Sequence, residues 1–323
     1  MNIFICLTPL HVFITFMIKQ RKKNDFILLI DQNKVLKKLS EYIIENKLFK
    51  NFDYYDSSKK KINMCTYLRI PFFNKYGLNK LLTNKFLSDI KNIYVFNDLA
   101  PETQYILNNI CHKKCIYIED GSAPYNNHYI THSFIKKNSL KFFFKFYECI
   151  NVIGTSKHID FGIYSRPSHI RNENKKKPTI QLKFDKTKQN YLTKNLYKNF
   201  YSCSKKVEVL IFAPQEIDTE QYIYKIKNLS FKYKICFDNI YIKQHPLSTK
   251  KIQTKNRLLH GYIPGEFYPF IYNEIKYVFG TRTTALQNLK IFFPHIKLFN
   301  VIIDKKNTYD IFLQEIGIEN IQL

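Results

Sequence analysis

Short apolar runs, recurring at intervals and separated by helical periodicity, constrain the fold of this 323-residue chain more than any other feature. In the first half they read NIFICL, DFILLID, FDYYD, NIYVFND and CIYIED, with amphipathic stretches at 35–47 and 79–91 among them. The runs are continuously hydrophobic rather than alternating, which marks strands covered on both faces, as in a parallel sheet. A series of βαβ units is the natural topology for such an order. Thr8 and Pro9 follow the first run as an N-cap and a first helical residue, so a helix is expected there.

From about 165 to 205 the pattern dissolves into the polar, lysine-rich RPSHIRNENKKKPTIQLKFDKTKQN. It then restarts with KVEVLIFAP, a helix near 219–229, NIYIKQHP, RLLHGYIP, IKYVFG, a helix from about 283, HIKLFNVIID and a last helix. The expectation is an α/β protein of two Rossmann-like domains facing across a cleft: 1–165, a basic linker at 166–205, and 206–323. Neither G-x-G-x-x-G nor a P-loop occurs, so a nicotinamide dehydrogenase or a kinase lacks its usual fingerprint. There is no D-x-D triplet to hold a metal diphosphate either.

The formal net charge is +25, which raises nucleic acid as a partner and a basic nucleic-acid-binding protein as the alternative outside the enzymes. Only six of the 51 basic residues are arginine (Arg21, Arg69, Arg166, Arg171, Arg257, Arg282), leaving 45 lysines. Lysine here accompanies abundant Asn, Ile, Phe and Tyr, a mixture that AT-rich codons produce without selection for a partner. The guanidinium fork that clamps phosphates and reads bases is scarce. No nucleic-acid partner is expected, and the charge suits an anionic substrate or an anionic membrane face. The seven cysteines are odd in number and scattered, which fits free buried thiols in a reducing cytoplasm. CHKKC at 111–115 has no second pair and is not read as a zinc site. The N-terminal stretch lacks a basic start and is interrupted by Thr8, Pro9 and His11, so strand and helix are expected rather than a signal anchor. No transmembrane segment is expected.

Four loops stand where strands end, which is the ligand side of an open α/β sheet. In CLTPLH, Thr8 and the amides of the helix start suit an anion, and a plain N-cap is the alternative. In YIEDGSAPY, Glu119 and Asp120 end a strand before Gly121. A carboxylate so placed is positioned as a general base, and a solvated Asp-Gly turn is the other reading. In LIFAPQEIDTEQY, Asp218 reads as a helix cap, while Glu216 falls in the loop before it and stays a candidate. In YVFGTRTTALQNL, Gly280 to Thr284 lead into a helix whose hydroxyls and free amides suit a phosphate. Arg282 and Lys243 are read as added charge, and His245 as a donor to a phosphate oxygen on which charge develops. Taken singly, a histidine before Pro246 is more often a turn residue.

In order and spacing, CLTPLH, the acidic pair before Gly121, K-x-H-P at 243–246 and G-x-x-T-T-A-L from Gly280 resemble the motifs of bacterial sialyltransferases. The match is closest to glycosyltransferase family 52, the lipooligosaccharide sialyltransferases. The acidic-Gly and His-Pro pairs are similar to those of bacterial polysialyltransferases and of another sialyltransferase family with two Rossmann domains. The resemblance spans most of the chain, through motifs that are each short. It implies a glycosyltransferase B fold and inverting, metal-independent transfer of sialic acid from CMP-sialic acid to a terminal galactose of lipooligosaccharide, α-2,3-linked, with no cofactor. Transfer of another CMP-activated acid sugar, or α-2,8 addition to sialic acid itself, is the runner-up.

By the same resemblance, His245 contacts the CMP phosphate and assists its departure, and Thr283 and Thr284 bind that phosphate. Glu266 of GEFYPF holds the ribose or base, and Lys243, Pro246, Gly280, Thr8 and Gly121 complete the donor site. The base is Glu216 by analogy with family 52, or Asp120 by analogy with the related families. Sialic acid leaves through an oxocarbenium-like state that already carries a carboxylate, so the departing phosphate is what needs stabilising. The implied location is cytoplasmic. SFIKKNSLKFFFKFYECI either rests peripherally on the inner membrane or packs as a helix with snorkelling lysines. A homodimer is left open.

Overall fold

The computed structural model describes residues 1–18, 22–32, 36–45, 47–57, 90–125, 148–171, 173–191, 207–214, 218–235, 240–244, 264–272 and 274–323. These form two compact units, Met1–Gln189 and Asn190–Leu323.

In the first unit the apolar runs become parallel strands: β1 (Asn2–Cys6), β2 (Phe26–Asp31), β3 (Asn51–Asp56), β4 (Asn92–Val95) and β5 (Lys114–Ile118). Two more follow, β6 (Phe161–Tyr164) and β7 (Thr179–Gln181), giving the sheet order β3-β2-β1-β4-β5-β6-β7. Every neighbouring pair is parallel, with Ile3 against Phe26 on one side of β1 and Ile93 on the other. Helices α1 (Pro9–Met17), α2 (Leu36–Glu45) and α3 (Pro101–Asn109) connect strands. Helix α1 is apolar nearly all round, and its residues from His11 to Met17 are buried.

The stretch 166–189, expected to belong to a linker, is part of the first unit. Strand β7 pairs with β6, Leu182 N donates to Tyr164 O at 2.7 Å, and Asp185 N donates to Met17 O at 2.8 Å. Its composition hid it because β7 is an edge strand exposed along its whole length, which needs no apolar face.

The second unit holds β8 (Val209–Ala213), β9 (Ile240–Gln244), β10 (Tyr277–Gly280), β11 (Lys297–Ile302) and β12 (Glu319–Gln322), all parallel, in the order β12-β11-β10-β8-β9. Helices α4 (Thr219–Lys232), α5 (Tyr268–Ile271), α6 (Thr284–Phe292) and α7 (Thr308–Glu315) accompany it. Val209, Ile211, Tyr222, Ile226, Ile242, Phe279 and Phe299 are among its core residues. The run RLLHGYIP lies outside the described residues except Pro264, which opens a short 3-10 turn over Gly265–Phe267.

Each sheet reverses its winding once, between β1 and β4 in the first unit and between β8 and β10 in the second. Beyond the carboxyl ends of the strands at such a reversal, loops diverge and leave a crevice.

Candidate active site at the strand ends

In the first unit, the first turn of α1 carries a buried histidine, His11, which in the sequence shows only as an interruption of the apolar run. Thr8 caps α1, its hydroxyl accepting from His11 N at 3.3 Å. That cap turns the first helical residues so that Leu7 N donates to His11 Nδ1 at 3.1 Å. The ring stacks on Phe96 with centroids 4.4 Å apart and planes 7° from parallel. Its other nitrogen, Nε2, lies 2.9 Å from Asp120 Oδ2. With Nδ1 accepting a backbone proton, the tautomer that satisfies both contacts carries its hydrogen on Nε2 and donates it to Asp120. His11 is 1% exposed, whereas the Asp120 side chain is 24% exposed. Asp120 is thus a carboxylate held from behind and open in front.

Its neighbour Glu119 has a different role. Glu119 is buried, and it accepts from Ser165 N at 2.7 Å, from Ser165 Oγ at 2.9 Å and from the Tyr125 hydroxyl at 2.5 Å. Arg166 N donates in turn to the Tyr125 hydroxyl at 3.2 Å. Burial pushes the Glu119 carboxyl up to about 7, against the lowering effect of these donors, with the nearby Asp120 charge adding to the rise. The same burial raises the Tyr125 phenol. Glu119 therefore anchors the end of β5 to the end of β6, and the residue after it faces outward. Gly121 forms the bend that follows.

In the second unit several sequence-singled residues do converge. Phe212, near the end of β8, is flanked by two glycines that leave no room for a side chain. A Cβ on Gly265 would lie 2.5 Å from its Cε1, and one on Gly280 would lie 3.3 Å from its Cδ2 and 2.7 Å from Thr283 Cγ2. The 264–267 turn and the β10–α6 turn are thereby drawn onto the same ring. Thr283 caps α6, its hydroxyl accepting from Ala285 N at 3.3 Å, and Thr284 opens the helix. One helical turn on, Asn288 Nδ2 donates to Glu266 Oε1 at 3.0 Å. Lys243, near the end of β9, is electrostatically coupled to Glu266. Burial lowers the Lys243 ammonium to about 8 and raises the Glu266 carboxyl, while each partner favours the charged form of the other.

Arg282 corrects the reading that made it a cation for a phosphate. Its Nε donates to both oxygens of buried Asp310 at 3.1 and 3.0 Å, and one terminal nitrogen reaches Asp304 Oδ1 at 2.6 Å and Lys305 O at 2.7 Å. Its backbone stands in the left-handed region at φ 44°, where Arg282 N donates to Asn300 Oδ1 at 2.9 Å. The guanidinium is neutralised by two carboxylates.

His245, Pro246 and Glu216 lie outside the described residues, as does most of the basic-aromatic segment at 133–150. Among the described residues, no group of three His, Cys, Asp or Glu side chains is arranged to hold a metal ion. Cys111 is exposed, while Cys6 and Cys115 are buried, their thiols raised mainly by burial, that of Cys6 to about 12. Among the described residues no helix is long and apolar enough to cross a membrane.

Two parallel-sheet units, each with polar residues gathered at the carboxyl ends of its strands, define the fold class of the B-type glycosyltransferases. In particular, the chain is similar to the alpha/beta-galactoside alpha-2,3-sialyltransferase of the luminous marine bacterium Photobacterium phosphoreum. That likeness covers 99% of this chain and 98% of the other, with a TM-score of 0.58 at 15% identity. It is also similar to the glycotransferase of kitacinnamycin, over 99% of this chain and 86% of the other, with a TM-score of 0.50 at 7% identity. No family model matches the chain, and no curated protein matches it.

Proposed function

We propose that the protein is an inverting sialyltransferase that takes CMP-sialic acid as donor and a terminal galactoside as acceptor, with Asp120 as its base. The observation that carries this reading is the Asp120 carboxylate at the end of β5, held through one oxygen by His11 and exposed on its other side. The end-to-end likeness to a galactoside sialyltransferase supports the choice of sugar. The motif resemblance supports a lipooligosaccharide acceptor, an α-2,3 linkage, metal independence and a place at the cytoplasmic face of the inner membrane.

In this mechanism the acceptor hydroxyl gives its proton to Asp120 while its oxygen bonds to the anomeric carbon of sialic acid. The bond from that carbon to the phosphate breaks, and its electron pair leaves with CMP. Charge develops on the departing phosphate, so donors fixed in advance are worth most there. Thr283 keeps its hydroxyl hydrogen while capping α6, and the first amides of that helix carry the positive end of the helix dipole. Lys243 supplies positive charge, and His245 is the proposed donor to the leaving oxygen.

Purified protein, CMP-sialic acid and lactose test the reading, with and without a chelator. The expected result is CMP release coupled to sialyllactose at a rate the chelator leaves unchanged. Asp120→Asn is expected to lower kcat by about 10²- to 10⁴-fold, the usual range for a general base. A full-rate Asp120→Asn beside an inactive Glu216→Gln would move the base to Glu216. Absence of transfer together with steeply salt-dependent RNA binding would favour the basic binding protein instead.

A further inference from the structure

We infer that His11 is a positioning residue for the Asp120 carboxylate, acting as a neutral hydrogen-bond donor rather than as an ion-pair partner. This rests on the base role proposed for Asp120. The contact at 2.9 Å satisfies the distance criterion for an ion pair, but the far side of the ring decides its nature. Leu7 N points its hydrogen at His11 Nδ1 from 3.1 Å. A doubly protonated ring would set two donors against each other there, so the backbone keeps Nδ1 as an acceptor and Nε2 as the sole donor.

Three independent constraints fix the ring: the Leu7 amide, the parallel stack on Phe96 at 4.4 Å, and near-complete burial on the first turn of α1. A ring so held sets the plane and direction of the carboxylate it touches. Asp120 Oδ2 is thereby committed to His11, which leaves Oδ1 for the proton of an acceptor hydroxyl. Among the described residues, the Asp120 charge in turn acts on its neighbour Glu119 and on the buried Tyr117 hydroxyl. A neutral donor orients the base without placing an opposing full charge against it. A ring nitrogen that presents its hydrogen to a carboxylate recurs wherever a reactive group must be aimed.

The test compares His11→Phe, which keeps the flat buried ring and removes the donor, with His11→Gln, whose amide nitrogen reaches roughly where Nε2 stood. With CMP-sialic acid and lactose, His11→Phe is expected to lose about 10- to 100-fold in kcat with little change in donor KM, in line with other orienting residues. His11→Gln is expected to recover most of the rate. Long-range ¹H–¹⁵N spectra of protein labelled at histidine give a second readout, which does not depend on the His11 variants folding. Among the nine histidines they should show a neutral ring protonated on Nε2 whose signal is displaced in Asp120→Asn.

An unchanged rate in His11→Phe, or a His11 ring protonated on Nδ1, overturns the inference alone. A wild type that transfers no sialic acid overturns the functional reading, and this role with it.

Discussion

Replacing Glu119 by Gln isolates the energetic consequence of burying a carboxyl behind the proposed base. The folded chain holds this group up to about 7, against 4.5 for an ordinary glutamate. Between those two values the folded state keeps a proton that the unfolded state has already released. The contribution to stability is therefore fully present below about 4.5 and is lost as pH rises to about 7. The displacement corresponds to ~3 kcal/mol. Glutamine is neutral at every pH, and its carbonyl still accepts from Ser165 N and the Tyr125 hydroxyl, while its amide can donate to Ser165 Oγ. The gap between Glu119→Gln and wild type should hence widen in favour of the variant by ~3 kcal/mol from pH 4.5 to pH 8. Other acids shift both proteins alike and cancel. Hydrogen exchange of peptides covering β5 and β6, corrected for intrinsic exchange rates, reads the local opening free energy at each pH. Parallel curves for the two proteins would refute the reasoning.

Two further predictions concern the second unit. Arg282→Ala leaves Asp310 buried without its cation and should destabilise this unit by ~3 kcal/mol, the lower end for breaking a buried pair, with donor KM unchanged for the folded fraction. Urea unfolding followed by the unit's own transition checks it, and a variant of full stability with weakened donor binding would return Arg282 to the phosphate. A nucleotide phosphate beside Lys243 should restore charge that burial has lowered to about 8, so the part of the proton uptake on CMP binding that depends on Lys243, wild type minus Lys243→Met, should be roughly half a proton at pH 8 and almost none at pH 6.5. Calorimetry in buffers of different ionisation enthalpy measures this, and the same uptake in Lys243→Met would refute it.

The sequence made most interior strands legible, together with the edge strands β3 and β9, and left the edge strands β7 and β12 obscure. NIFICL, DFILLID, NIYVFND, CIYIED and IKYVFG are strands covered on both faces, so continuous hydrophobicity marks them. Strands β7 and β12 lie at sheet edges, and TIQ and ENIQ carry no such mark. Strand β6 escaped for another reason. It is four residues long and holds Gly162, whose missing side chain makes room for the ring of Tyr164. At the candidate site, the Thr-Pro start was readable as a cap because capping is a local event. The His11–Asp120 contact joins residues 109 apart, and no local pattern could have announced it. Its only trace was a histidine inside an otherwise apolar helix, a residue type whose ring nitrogens need partners when buried.

The same logic separates residues whose structural duty leaves them able to bind from those whose duty uses them up. A capping threonine accepts an amide hydrogen with one lone pair and keeps its own hydroxyl hydrogen. Thr8 and Thr283 can therefore hold their helices and still donate to an anion. For a charged side chain the sum of charges decides instead. Arg282 stands between Asp304 and Asp310, a local excess of one negative charge that repels a phosphate. Lys243 and Glu266 sum to zero when both are charged, and burial disfavours the charge of both. The phosphate proposed beside Lys243 would favour the ammonium that burial disfavours, which is where binding energy is gained. Among the described residues at the strand ends of the second unit, the proposed phosphate site thus rests on Lys243 and the first amides of α6. The late arginine, the most conspicuous cation in its motif, shapes the turn that presents them.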